Sequence, residues 1–116
     1  MAVSIVGFLD LVGQLPAVVR SDHGRYAKFE VASHTFGYLW ERTSTVGLKQ
    51  TVDEQLALVG ERPDVFEVQF TSGGFGWVVV HLEGIERDEL AELTFEAWRL
   101  SAPTALVAER GDRLPR

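Results

Sequence analysis

At 116 residues the chain is sized for one domain, and its 46% hydrophobic content, with seven Phe and three Trp, can supply a core without staples. The absence of cysteine excludes disulfides, thiolate metal sites, cysteine nucleophiles and iron–sulfur clusters, and it suits a reducing cytoplasm. The net charge of −6 argues against a generic polyanion binder, but residues 1–50 carry five Lys/Arg against four Asp/Glu while residues 51–116 carry six against thirteen, so the first half can still present a locally basic face.

The opening "MAVSIVGFLDLVGQLP" lacks a cationic leader and a small-residue cleavage site, and Asp10 interrupts its apolar run. It reads as neither a signal peptide nor a membrane span, and the expected location is cytoplasmic. Ile5, Phe8, Leu9 and Val12 stand at i, i+3, i+4 and i+7, one apolar helix stripe that Pro16 ends. A polar connector, "RSDHGR", follows. The period then changes to two: Phe29 and Val31 alternate with Lys28 and Glu30, as on a half-buried strand. Phe36, Tyr38 and Trp40 predict one face of a second strand, and Val46 with Leu48 predicts a third.

Thr51-Val52-Asp53-Glu54 is a capping box, with Thr51 accepting from the Glu54 N–H and two acids suited to the positive helix start. Leu56, Val59 and Gly60 predict a helix of two turns with a glycine stop, and Pro63 follows. Phe66, Val68 and Phe70 predict a strand pointing those three one way. The run 77–82 is apolar on both faces, as an interior strand covered on both sides would be. Leu90, Leu93, Ala97 and Leu100 set a helix stripe, with Phe95 and Trp98 packing beside it. Pro103 opens a last short helix with Ser101 as its cap. The predicted order is α-β-β-β-α-β-β-α-α. It describes an α+β fold: a mainly antiparallel five-stranded sheet with helices on one face, a single domain over residues 1–110 and a flexible tail over 111–116.

"TSGGFGW", residues 71–77, raises the question of a phosphate loop. No lysine follows the glycines, a strand rather than a helix comes next, and position 79 is Val where a dinucleotide fingerprint needs glycine. The stretch reads as a hairpin connection, with an adaptable binding tip as the alternative.

Read together, "VGLKQTVDEQLALVGERPDVF", "GWVVVHLEG" and "ELTFEAWRLSAPTALV" resemble the MmcQ/YjbR-like family of small bacterial proteins. The resemblance runs from the first helix and Leu15-Pro16 to Leu106, through Lys28-Phe29, Phe36, Leu48-Lys49, Pro63, Gly76-Trp77-Val78 and Arg99-Leu100. It implies a sheet-plus-helices fold, sometimes described as a double wing, and a DNA-binding role. The sequence departs from the family where Trp98 replaces a frequent Tyr, and where Thr104 and Ala105 stand at commonly basic positions.

The leading functional expectation is therefore weak, largely sequence-independent nucleic-acid (DNA) binding through Arg20, Arg25, Lys28, Arg42 and Lys49. There is no recognition-helix signature and no RNP-type aromatic motif. The alternative is a non-enzymatic protein- or small-molecule-binding module that uses an aromatic sheet face of Phe36, Tyr38, Trp40 and Trp77, with a homodimer as one way to cover it. Enzymatic readings are poorer. His81-Leu82-Glu83 has the spacing of zinc deaminases without their cysteine pair, Asp22-His23 is a common adjacency, and Ser72 lacks a nucleophile elbow. The expectation is a protein with no catalytic residues, no metal and no cofactor.

Overall fold

The structure, a computed structural model, describes residues 2–116. Helix α1 (Ile5–Gly13) is capped by Ser4, whose hydroxyl accepts from the Gly7 N–H at 3.0 Å. It buries Phe8, Leu11 and Val12, and Ile5 and Leu9 pack at the margin of the core. The strands are β1 (Val18–Asp22), β2 (Ala27–Val31), β3 (His34–Trp40), β4 (Thr45–Thr51), β5 (Phe66–Ser72) and β6 (Phe75–His81). They form one antiparallel sheet of six strands in the order β1-β2-β3-β4-β6-β5. Helix α2 (Val52–Glu61) joins β4 to β5, and α3 (Arg87–Arg99) and α4 (Thr104–Arg110) follow the sheet.

The sixth strand, β1, falls partly on the stretch expected to be a connector. Its sequence, Val-Val-Arg-Ser-Asp, lacks apolar alternation because β1 is an edge strand: Val18 faces the core while Val19 is 61% exposed. Its hairpin turns at Gly24, whose φ of +79° needs no Cβ to be accommodated. The "TSGGFGW" stretch is also a hairpin turn, with φ of +60° at Gly73 and +83° at Gly74, feeding β6 as expected. The β2–β3 turn uses the same left-handed conformation without glycine, at Ala32 (+50°) and Ser33 (+68°).

Two bulges decide which way side chains point. Between β2 and β3 the register passes from Phe29↔Gly37 to Glu30↔Thr35, leaving Phe36 as the extra residue. Phe36 therefore turns into the core, tilted against Phe29 at 6.4 Å, and does not share a face with Tyr38 and Trp40 as strict alternation predicts. Between β5 and β6, Gln69 is the extra residue. Phe66 points into the core, whereas Phe70 stands opposite Trp77 on the other face.

The helices share one side of the sheet. Phe8 of α1 meets Phe29 edge-on at 5.8 Å, and the buried Gln50 of β4 donates to the Leu93 carbonyl of α3 at 3.0 Å. Gln55 of α2 donates to the Phe70 and Trp77 carbonyls at 3.1 and 2.8 Å. That side chain fills the space above Gly76, where an added Cβ would stand 2.7 Å from Gln55 Cβ. The Thr51 hydroxyl accepts from the Glu54 N–H at 3.1 Å, the expected cap. Helix α2 nevertheless runs through Gly60 and stops before Pro63, burying Gln55 and Leu58 rather than Leu56, which is 60% exposed. Phe95 and Trp98 stack at 5.9 Å, and the fully buried Trp98 indole donates to the Pro16 carbonyl at 3.1 Å. Pro103, not Ser101, occupies the cap position of α4. The tail is tied to α1: the Arg116 N–H donates to Gln14 Oε1 at 2.8 Å, and Gln14 Nε2 donates back to the Arg116 carbonyl at 2.6 Å. Among the described residues no helix is long and apolar enough to cross a membrane.

Candidate nucleic-acid interface

The sheet face away from the helices carries a row of aromatic rings. Pleating sends alternate side chains of each strand to this side. The pairings Lys28↔Tyr38, Tyr38↔Gly47, Gly47↔Val79 and Lys49↔Trp77 fix its members. Starting from the edge strand β5, Phe70 lies 5.3 Å from Trp77, and Trp77 lies 5.4 Å from Tyr38. Tyr38 stacks on Trp40 at 5.8 Å and meets Tyr26 edge-on at 5.8 Å. His23, in the β1–β2 turn, stacks on Tyr26 at 5.0 Å. Trp77 is only 6% exposed, yet it lies outside the core cluster, so its own neighbours in the row shield it rather than a helix. Tyr38 and Trp40 are half-buried, and Phe70 is 39% exposed.

Gly47 lies at the centre of this face. Its missing side chain leaves room for Gln69, which reaches across from the β5 bulge: a Cβ there would meet Gln69 Oε1 at 2.3 Å and Trp40 Cη2 at 3.1 Å. That Gln69 oxygen is buried without a hydrogen-bond partner among the described residues. A polar amide thus sits within the aromatic row.

The five cations expected to bind nucleic acid divide into two groups. Lys28 and Lys49 lie on the ring face. Lys28 Nζ is 4.0 Å from Glu30 Oε2. Lys49 Nζ is 4.2 Å from the Phe75 ring centre and donates to Ser101 Oγ at 3.2 Å. Partial burial lowers the Lys49 pKa below the ordinary lysine value. Burial, then Tyr26 and Glu30, raise that of the Tyr38 phenol, so Tyr38 stays neutral well into the alkaline range. Arg20, Arg25 and Arg42 instead line one groove of about 430 Å³, where the β1–β2 turn faces the short 3-10 turn Glu41–Thr43. Arg20 is held by Asp22 at 3.0 Å. Ala27, Leu39, Tyr26 and Trp40 also line the groove, and the pairings Arg20↔Phe29 and Asp22↔Ala27, with the Arg20 guanidinium 6.0 Å from the Phe29 ring centre, set Arg20 and Asp22 on the helix side of the sheet, away from the ring row.

The sequence reading found Tyr38, Trp40 and Trp77 and missed Tyr26, Phe70 and Gln69. The parity of Tyr26 with Lys28 carried its signal; Phe70 and Gln69 depend on a bulge that has no local mark. The histidines are dispersed. His23 stacks in the row and pairs with Ser21 Oγ at 3.0 Å, His34 is exposed, and His81 is paired with Glu67. Among the described residues no group of three or more His, Asp or Glu side chains is placed to hold a metal ion.

Comparison with known proteins adds the lineage. The fold resembles the crystal structure of Deinococcus radiodurans protein DR2400, which carries the family-model domain DUF419, with a TM-score of 0.76 at 17% identity over 91% of this chain and 86% of that one. No curated protein matches the chain. The YjbR family model matches residues 13–100, which span β1 to the end of α3, and the chain belongs to the YjbR family.

Proposed function

We propose that the protein is a non-enzymatic, weak and largely sequence-independent nucleic-acid binder that takes single-stranded DNA on the open face of its sheet. The observation that carries this reading is the unroofed row Phe70–Trp77–Tyr38–Trp40/Tyr26 with Lys28 and Lys49 beside it. Rings of this kind stack on any base, and flanking cations meet the backbone, so affinity comes without sequence readout. A duplex hides its base faces, which is why the rings favour a single strand. The overall charge of −6 and the carboxylates of Glu30 and Glu67 on the same face keep the expected affinity low. Titration with a single-stranded oligonucleotide at low salt should quench the fluorescence of Trp40 and Trp77 and raise the anisotropy of a labelled strand, more than a duplex of the same sequence does. No quenching and no anisotropy change at high micromolar protein would remove this reading.

A second reading, a module for a planar small molecule or a second copy of the chain, is favoured by apolar exposure at the β5 edge of this face, where Phe70 is 39% exposed. Light scattering separates the two: a dimer whose formation is abolished by Phe70→Glu supports a homodimer across this face.

A further inference from the structure

The chain carries eleven Lys/Arg against seventeen Asp/Glu, so a cation without a partner is the exception. Among the described residues, the side chains of Arg25 and Arg42 make no hydrogen bond, ion pair or ring contact. Every other Lys and Arg side chain except that of Arg116 is engaged by a carboxylate, a carbonyl, a hydroxyl or a ring. Both unengaged arginines line the same groove, although they come from two different loops. We propose that this groove is a binding site for a small phosphate monoester, separate from the ring row.

The groove is built before a ligand arrives. The β1–β2 turn that carries Arg25 is closed by the His23 N–H on the Tyr26 carbonyl at 2.9 Å and the Arg25 N–H on the His23 carbonyl at 3.0 Å. The turn that carries Arg42 is closed by the Ser44 N–H on the Glu41 carbonyl at 3.2 Å and by the Thr43 and Thr45 hydroxyls at 2.7 Å. Ala27 and Leu39, paired across β2 and β3 and buried with the core, give it an apolar floor. The volume of about 430 Å³ is that of a small-ligand cleft. Arg20 is neutralised by Asp22, and Glu41 is the other carboxylate of the lining, so Arg25 and Arg42 leave the groove net positive.

Charge and shape select the ligand. A phosphate monoester carries about −1.5 to −2 at neutral pH and offers three acceptor oxygens. Two planar guanidinium forks match that dianion and form charge-assisted hydrogen bonds to it. Against an anion of single charge, Glu41 offsets much of the attraction.

Phenyl phosphate is the probe, titrated at low salt into isotopically labelled protein and followed by amide chemical shifts. The shifts should centre on residues 24–27 and 41–43. Phenyl sulfate, of the same shape but with one charge, should bind about tenfold more weakly. Arg25→Gln and Arg42→Gln should each weaken phenyl phosphate about tenfold, and Glu41→Gln should tighten it. All three side chains are exposed, so unchanged melting verifies the fold of each variant. Shifts centred elsewhere, no shift at high millimolar ligand, equal affinity for the two esters, or binding that survives loss of both arginines overturns the assignment. The single-strand reading is tested by oligonucleotides and does not depend on this outcome.

Discussion

The two faces of the sheet are both rich in aromatic residues and differ in everything else. On the helix side, Phe8, Phe29, Phe36, Phe66 and Trp98 are buried at 2% exposure or less, and the one polar atom among these side chains, the Trp98 indole nitrogen, is spent on the Pro16 carbonyl. On the open side, Tyr26, Tyr38, Trp40, Trp77 and Phe70 shield one another but keep a rim of solvent, two lysines, two carboxylates and an unpaired amide oxygen. The difference teaches that ring content alone does not mark a core. A core closes over its rings and removes every charge; an uncovered face leaves ring edges and faces within reach of charge.

The comparison breaks most readily at Trp98. Trp98→Ala should cost about 3–5 kcal/mol, because it opens a cavity in a packed interior and leaves the half-buried Pro16 carbonyl without its donor; a thermal melt unchanged within error would mean that the helix side is not the core. The two sheet glycines sharpen it next. Gly76→Ala on the covered face drives a Cβ against Gln55 Cβ, whose amide is fixed by two backbone carbonyls, and should cost about 1–3 kcal/mol in denaturant midpoint. Gly47→Ala on the open face meets the free end of Gln69 and should cost less than Gly76→Ala, since that side chain can swing into solvent. Equal losses at the two glycines would mean the faces are not different.

Trp40→Ala addresses function. It should weaken single-strand affinity by about 1–3 kcal/mol through one lost stack and leave melting less affected than Trp98→Ala does. Alkaline pH probes Lys49. Its lowered pKa means that it loses its proton before an ordinary lysine, so rising pH should weaken strand binding and reduce the salt slope by about 0.7. Folding disfavours the charged form of this side chain, so its contribution to stability grows as pH rises through the same range, and binding and stability move in opposite directions. Lys49→Gln should flatten both responses. The smallest effect is expected from Glu89→Gln, which breaks the half-exposed tie to Arg62 between α2 and α3 and should cost no more than about 1 kcal/mol, less at high salt.

Much of the fold was legible. The α1 stripe, the Thr51 capping box, the interior strand read at 77–82 and found at Phe75–His81, the Gly73-Gly74 turn and the packing of Phe95 with Trp98 all follow from spacing and turn chemistry. The edge strand β1 was not, because an edge pairs on one side and needs no apolar alternation, as Val18-Val19-Arg20-Ser21-Asp22 illustrates. Gly60 looked like a helix stop because no local signal distinguishes a tolerated helical glycine from a terminating one. Of the candidate site, the cations were visible as residues but not as two groups, since Arg20, Arg25 and Arg42 meet only when two loops distant in the chain fold to one end of the sheet.

The amino-acid sequence by itself determined the class of the fold, the Thr51 helix cap, the hairpin at the glycines and the membership in a family, because each rests on short-range spacing or on ordered residue patterns. The tertiary structure decided which rings are core and which are surface. Period two predicts alternation, but one extra residue in a strand reverses it, and the bulges at Phe36 and Gln69 exist only in the pairing with a neighbouring strand. Those two pairings bury Phe36 and bring Phe70 out to the open face, and the helices cover one side of the sheet and leave the other uncovered.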